Sequence, residues 1–96
     1  MKNIKVIKFS ATWCGPCRVI APIFDKISNM DEFKDIEFSK IDIDDEDSSD
    51  LVEEYSIRNV PTIVIVNKDN NEVIRKIIGA VQESVITSTL KEIVNG

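Results

Sequence analysis

The only two cysteines of this 96-residue chain stand together in Trp13-Cys14-Gly15-Pro16-Cys17, and histidine is absent. A pair at this spacing has three chemistries open to it. As a structural cross-link it closes a loop of only four residues, restricting the unfolded chain by about 2 kcal/mol, the weak end for disulfides. As a zinc site it supplies two thiolates where a tetrahedral site takes four ligands, so a second chain would have to provide the rest. As a redox pair it needs one sulfur held as a thiolate and a second within reach to displace whatever the first captures.

The surrounding residues favour the third chemistry. Ile4 to Phe9 is β-branched and apolar and reads as a strand. From Cys14 to Met30, apolar Val19, Ile20, Ile23, Phe24 and Ile27 recur at the spacing of one helix face. Cys14 thus falls at a strand end and a helix start, where unpaired backbone N–H groups and the helix dipole favour an anion. This position makes Cys14 the attacking thiolate. Cys17, one turn further in, becomes the less exposed resolving thiol. Pro16 lies in the first turn, where its missing N–H costs little, whereas Pro22 lies inside the helix and is expected to kink it.

The elements that hold this pair follow from the remaining pattern. Ile36 to Ile43 reads as a second strand, and Asp44 to Ser56 as a short helix whose acidic start suits the dipole. Pro61 breaks the chain. Thr62 to Val66 and Val73 to Ile78 form a hairpin around the turn-forming run Asn67-Lys68-Asp69-Asn70-Asn71-Glu72. After Gly79, apolar Val85, Ile86, Leu90, Ile93 and Val94 mark a last amphipathic helix from Gln82 onward. The expected architecture is α/β, a single domain over residues 1–96 in the order β-α-β-α-β-β-α. Its central four-stranded mixed sheet, parallel in the βαβ half and antiparallel in the hairpin, is flanked by helices.

Composition narrows the function classes. The chain is 43% apolar and 30% charged, as ordinary globular domains are. No apolar run approaches the ~20 residues of a membrane helix, and Met1-Lys2-Asn3-Ile4 does not open a secretory signal, so no membrane partner and a cytoplasmic location are expected. The net charge of -5 is uneven, about +4 over residues 1–24, -10 over 25–54 and +1 over 55–96. No segment is basic enough for a phosphate backbone, which argues against nucleic acid. The run Asp42-Ile43-Asp44-Asp45-Glu46-Asp47 lacks the glycine and terminal glutamate of a calcium loop and reads as a helix start and solvated surface. No metal site is expected.

Phe9-Ser10-Ala11-Thr12-Trp13-Cys14-Gly15-Pro16-Cys17, followed by Ala21-Pro22, Val60-Pro61-Thr62 and Gly79-Ala80, resembles the thioredoxin family over nearly the whole chain. The resemblance implies a thioredoxin fold and the reduction of protein disulfides by dithiol–disulfide exchange through a reversible Cys14–Cys17 disulfide, with no bound cofactor. It implies Cys14 as nucleophile, Cys17 as resolving thiol and Pro61 as a cis-proline beside them, with Val60 offering its backbone to an extended substrate. Trp13, Gly15, Pro16, Val60, Pro61, Gly79 and Ala80 would form a flat apolar patch around Cys14. The implied partners are disulfide-containing proteins and a thioredoxin-reductase-like flavoenzyme, the protein acting as a monomer in electron transport and cell redox homeostasis. The rival readings are a glutaredoxin-like exchanger, an oxidase or isomerase, and a non-catalytic interaction module on the same fold. The Trp-Cys-Gly-Pro-Cys motif argues against glutathione specificity.

Two departures from the family stand out. Where the family usually buries an aspartate beneath the disulfide, this chain has Lys8, and the family's partner lysine is matched by Lys40. Two cations cannot both be buried and charged cheaply. Lys8 then has three readings: a protonated amine that favours the thiolates, a neutral amine that serves as base, or a side chain that snorkels to water and does neither. The other departure is length. The chain begins at the strand leading into Cys14, without the family's usual N-terminal strand and helix, so the Ile36–Ile43 strand is expected to be a sheet edge guarded by Glu37 and Lys40.

Overall fold

Strand β1 (Ile4–Ser10) runs through the middle of the molecule because residues on both of its faces find cover. The structure, a computed structural model, describes residues 3–96. Helix α1 (Gly15–Ser28) follows, then a 3₁₀ turn at Asp31–Phe33 and strand β2 (Glu37–Asp42). A second 3₁₀ turn at Glu46–Ser48 leads into the short helix α2 (Ser49–Glu54), then strands β3 (Thr62–Asn67) and β4 (Val73–Ile78) and helix α3 (Glu83–Asn95). The four strands lie in the order β2-β1-β3-β4. β1 and β2 are parallel, and the other two pairs are antiparallel. This is the mixed sheet expected, with β2 at one edge.

Strand alternation sends successive side chains to opposite faces. On one face Ile4 and Val6 of β1 and Ile63 and Ile65 of β3 pack under Ile20, Phe24 and Ile27 of α1 and Ile86, Leu90 and Ile93 of α3. On the other face Ile7, Phe9, Val64 and Val66 pack with Tyr55, and Leu51 and Val52 of α2 lie against them. Full burial of such a side chain contributes about 1.5–3 kcal/mol, so the rigidity of β1 and α1 comes from both faces being filled. Lys8 shares the parity of Ile4 and Val6. Its side chain therefore points at the α1 face, and its register partner across the parallel pair is Lys40.

The expected helix over Asp44–Ser56 is corrected. Asp44 N–H donates to the Asp42 carboxylate at 2.9 Å, and Ser48 Oγ donates to the Asp42 carbonyl at 2.7 Å. These local bonds offer the backbone a turn in place of a helix, as Asp and Ser commonly do. Only Ser49–Glu54 becomes α-helical. In α1, Pro16 occupies the first turn as expected, and the helix continues through Pro22 to Ser28. Residues Asp31–Phe33 form a 3₁₀ turn that the periodicity did not reveal, with Phe33 buried in the α1 core.

Candidate active site

Cys14 is the N-cap of α1. Its backbone is extended, with φ -90° and ψ 113°, and its side chain takes the place of the Ser or Asp oxygen that usually caps a helix. The Cys17 backbone N–H donates to Cys14 Sγ at 3.2 Å. A sulfur so placed meets both an unpaired donor and the positive end of a 14-residue helix, which together favour the thiolate over the thiol when the pair is reduced. Here Cys14 and Cys17 are joined as a disulfide, their Cα atoms 5.2 Å apart. The two residues are almost equally buried, at 5% and 4% exposure, so the expected difference in exposure between them is absent in this oxidised state.

Around the disulfide, Ala11 and Val60 supply the apolar lining. The Val60 carbonyl oxygen lies 3.6 Å from Cys14 Sγ. The Val60–Pro61 peptide is cis, matching the geometry expected there. Pro61 is buried, and its carbonyl accepts from Gly79 N–H at 2.9 Å, which ties the start of β3 to the end of β4. Gly79 has φ +93°, a conformation that a side-chain-bearing residue rarely adopts. Gly15 and Pro16 are exposed beside the disulfide, and Ala80 is exposed one residue beyond Gly79.

The surface beside Cys14 is indented on the Trp13 side. Trp13, Ile43, Ile57, Arg58, Asn59 and Val60 line a groove of about 280 Å³. Trp13 is 66% exposed, and its indole Nε1–H donates to Asp44 at 2.8 Å, which fixes the ring at the groove wall. The sequence alone assigns none of Ile43, Asp44, Ile57 and Arg58 to the site. Only the end of β2 and the loop before Pro61 bring them to Trp13, and no local motif announces that meeting.

A second cleft opens on the other side of Cys17, lined by Lys8, Ser10, Ala11, Thr12, Cys17, Arg18, Ala21 and Asp42. Lys8 is 4% exposed and is the one buried charged side chain among the described residues. Its Nζ lies 5.3 Å from the centroid of the Phe24 ring. Burial pulls the Lys8 pKa down, the Asp25 charge opposes that shift, and the Lys40 charge adds to it. Lys40, by contrast, is well exposed and forms a 3.1 Å ion pair with Asp25 on α1. The cost of burying two cations is avoided because only the central-strand lysine is buried, while the edge-strand one reaches solvent.

Comparison with known proteins gives a consistent result. A sequence model of the thioredoxin family, described as "Thioredoxin", matches residues 1–92. The chain is similar to a thioredoxin of Coprinus comatus, 46% identical over 78 residues, covering 81% of this chain and 70% of that one. Its structure is similar to the crystal structure of a Malassezia sympodialis thioredoxin, with TM-score 0.83 and 35% identity over 95% of this chain and 75% of that one. A thioredoxin of Trypanosoma brucei brucei superposes with TM-score 0.83 and 28% identity, covering 99% of this chain and 78% of the other.

Proposed function

This chain belongs to the thioredoxin family of thiol–disulfide oxidoreductases that reduce protein disulfides, and we propose the following roles for its residues. Cys14 attacks as a thiolate, forming a sulfur–sulfur bond to the substrate and expelling the first substrate thiolate. Cys17 then attacks Cys14 Sγ, closing the Cys14–Cys17 disulfide and releasing the second substrate thiolate. Two electrons pass to the substrate, and the protein is left oxidised. The observation that carries this reading is the Cys17 N–H donated to Cys14 Sγ at the start of α1.

The groove between Trp13 and Val60 receives an extended substrate segment, with the Val60 backbone beside the reacting sulfur. Gly15, Pro16, Gly79 and Ala80 present little side-chain bulk around it and let another backbone approach closely. Pro61 holds Val60 in position from below. The partners in this reading are disulfide-containing proteins and a flavin-dependent reductase that returns electrons to the oxidised pair, the protein acting as a monomer in the cytoplasm. Electron transport and cell redox homeostasis are the processes such a cycle serves. No bound cofactor enters the chemistry, which belongs to the reversible disulfide itself.

Insulin reduction with dithiothreitol tests the reading. The wild-type chain accelerates insulin precipitation, and Cys14→Ser abolishes the acceleration. A wild-type chain that does not accelerate precipitation would leave only a non-catalytic module. The equilibrium potential against glutathione separates directions: a strongly negative value fits a reductase, and a value nearer those of oxidases and isomerases overturns the proposed direction.

A further inference from the structure

Lys8 is the charged side chain that the reaction described above leaves unused. It sits on the central strand under α1 and lines the same cleft as Cys17. The groups facing it are few. From α1 come Asp25 and Arg18, and from β2 come Lys40 and Asp42, while β3 contributes apolar Ile63 as its register partner. Asp25 is engaged at 3.1 Å by the exposed Lys40. One oxygen of the Asp42 carboxylate accepts from the Asp44 N–H. Arg18 turns to the Thr12 carbonyl at the rim, at 3.2 Å. Among the described residues no carboxylate pairs directly with Lys8, and its ammonium rests over the Phe24 ring, an arrangement that favours the charged amine.

We propose that the Lys8 ammonium is a fixed positive charge behind Cys17, which raises the thiolate population of Cys17 and so speeds closure of the disulfide on the mixed-disulfide intermediate. This rests on the assignment of Cys17 as the resolving thiol. The step balances without any co-reactant. The Cys17 thiol gives its proton to water, its thiolate bonds to Cys14 Sγ, and the Cys14–substrate sulfur bond breaks, its electron pair leaving with the substrate sulfur. Lys8 neither takes nor gives a proton; it acts through Cys17 as a positioning residue of charge.

The magnitude follows from two opposing effects. A unit charge across a partly desolvated cleft changes the thiolate population by about tenfold. A thiolate formed from a more acidic thiol is also less nucleophilic, by about threefold for a tenfold change in acidity. At neutral pH the net acceleration is therefore about threefold. The difference fades as pH rises through the lowered pKa of Lys8, where the amine loses its proton and the charge is gone.

The test is the rate of resolution of a preformed mixed disulfide between Cys14 and a small aromatic thiol, followed against pH in the full chain, with ultraviolet thiolate absorbance to titrate Cys17. In Lys8→Met, resolution is about threefold slower than wild type at neutral pH, the two converge at high pH as Lys8 loses its charge, and Lys8→Arg keeps the wild-type rate at neutral pH. Lys8→Gln repeats the neutral substitution with a polar side chain. A rate ratio that is the same at every pH would assign Lys8 a purely structural role and overturn the proposal. Lys8→Arg behaving like Lys8→Met would make the amine a proton acceptor instead, which also overturns it. Failure of the wild-type chain to reduce insulin at all would sink the reductase reading and is readily told apart from these outcomes.

Discussion

Replacing Lys8 by Met should stabilise the oxidised protein, and the size of the gain follows from where the ammonium sits. An ion withdrawn from water carries an effective penalty of several kcal/mol. The Phe24 ring at 5.3 Å returns about 1 kcal/mol. The Asp25 charge returns about another 1 kcal/mol, since that carboxylate is already paired with Lys40. The remainder, about 1–3 kcal/mol, is removed when an unbranched apolar side chain of similar length occupies the site. For a domain of this size each kcal/mol moves Tm by about 4–8 °C, so a rise of about 4–24 °C is expected. The pH dependence has a definite sign. Burial lowers the folded-state pKa of Lys8 below its ordinary value of 10.5. Between those two values the unfolded chain binds the proton and the folded chain does not, so wild-type stability rises with pH across that window. Below the window the full penalty persists. Urea unfolding of both oxidised proteins at a series of pH values from neutral to above 10.5 reads the effect directly, with the Lys8→Met advantage shrinking as pH rises. A wild-type protein as stable as Lys8→Met at neutral pH would refute the reasoning, as would an advantage that does not change with pH.

Four further outcomes are expected. Trp13→Ala, which removes an exposed ring and its bond to Asp44, raises KM for a protein disulfide several-fold with little loss of stability in urea. Leu90→Ala leaves a cavity where α3 meets the sheet and costs about 3 kcal/mol by the same measurement. Gly79→Ala must adopt φ +93° and costs about 1 kcal/mol, seen as a lower Tm. Glu37 is held below the usual carboxylate range by its hydrogen bonds to Lys68 and Lys5. Its contribution is present above the ordinary carboxylate pKa and fades as pH falls through the lowered one, so Glu37→Gln removes part of the stability lost in acid, read from unfolding midpoints below pH 5.

Much of this molecule was readable before any coordinates. Ile4 to Phe9 and the i, i+3, i+4 spacing of Ile20, Phe24 and Ile27 record real burial, because the core demands the same periodicity the sequence carries. Cys14 could be put at a helix start because strand and helix signals meet there. The acidic segment misled: a run of Asp and Ser satisfies a helix N-terminus and a turn equally well, and the Asp42 carboxylate and carbonyl chose the turn. The fates of Lys8 and Lys40 could not be separated from residue type alone. They are register partners on one face, and only the strand order leaves Lys40 on an edge while α1 closes over Lys8. The groove wall at Asp44 and Ile57 depends on contacts between distant segments, for which a single sequence carries no local sign.

The donor that holds Cys14 Sγ is the main chain of residue 17, not its side chain. Whatever side chain replaces the second sulfur, the amide stays where the helix puts it, so capture of a substrate is separable from its release. A Cys17→Ser protein should therefore still seize its targets with wild-type appetite and then fail to let them go, turning a transient exchange into a covalent record of what this surface meets.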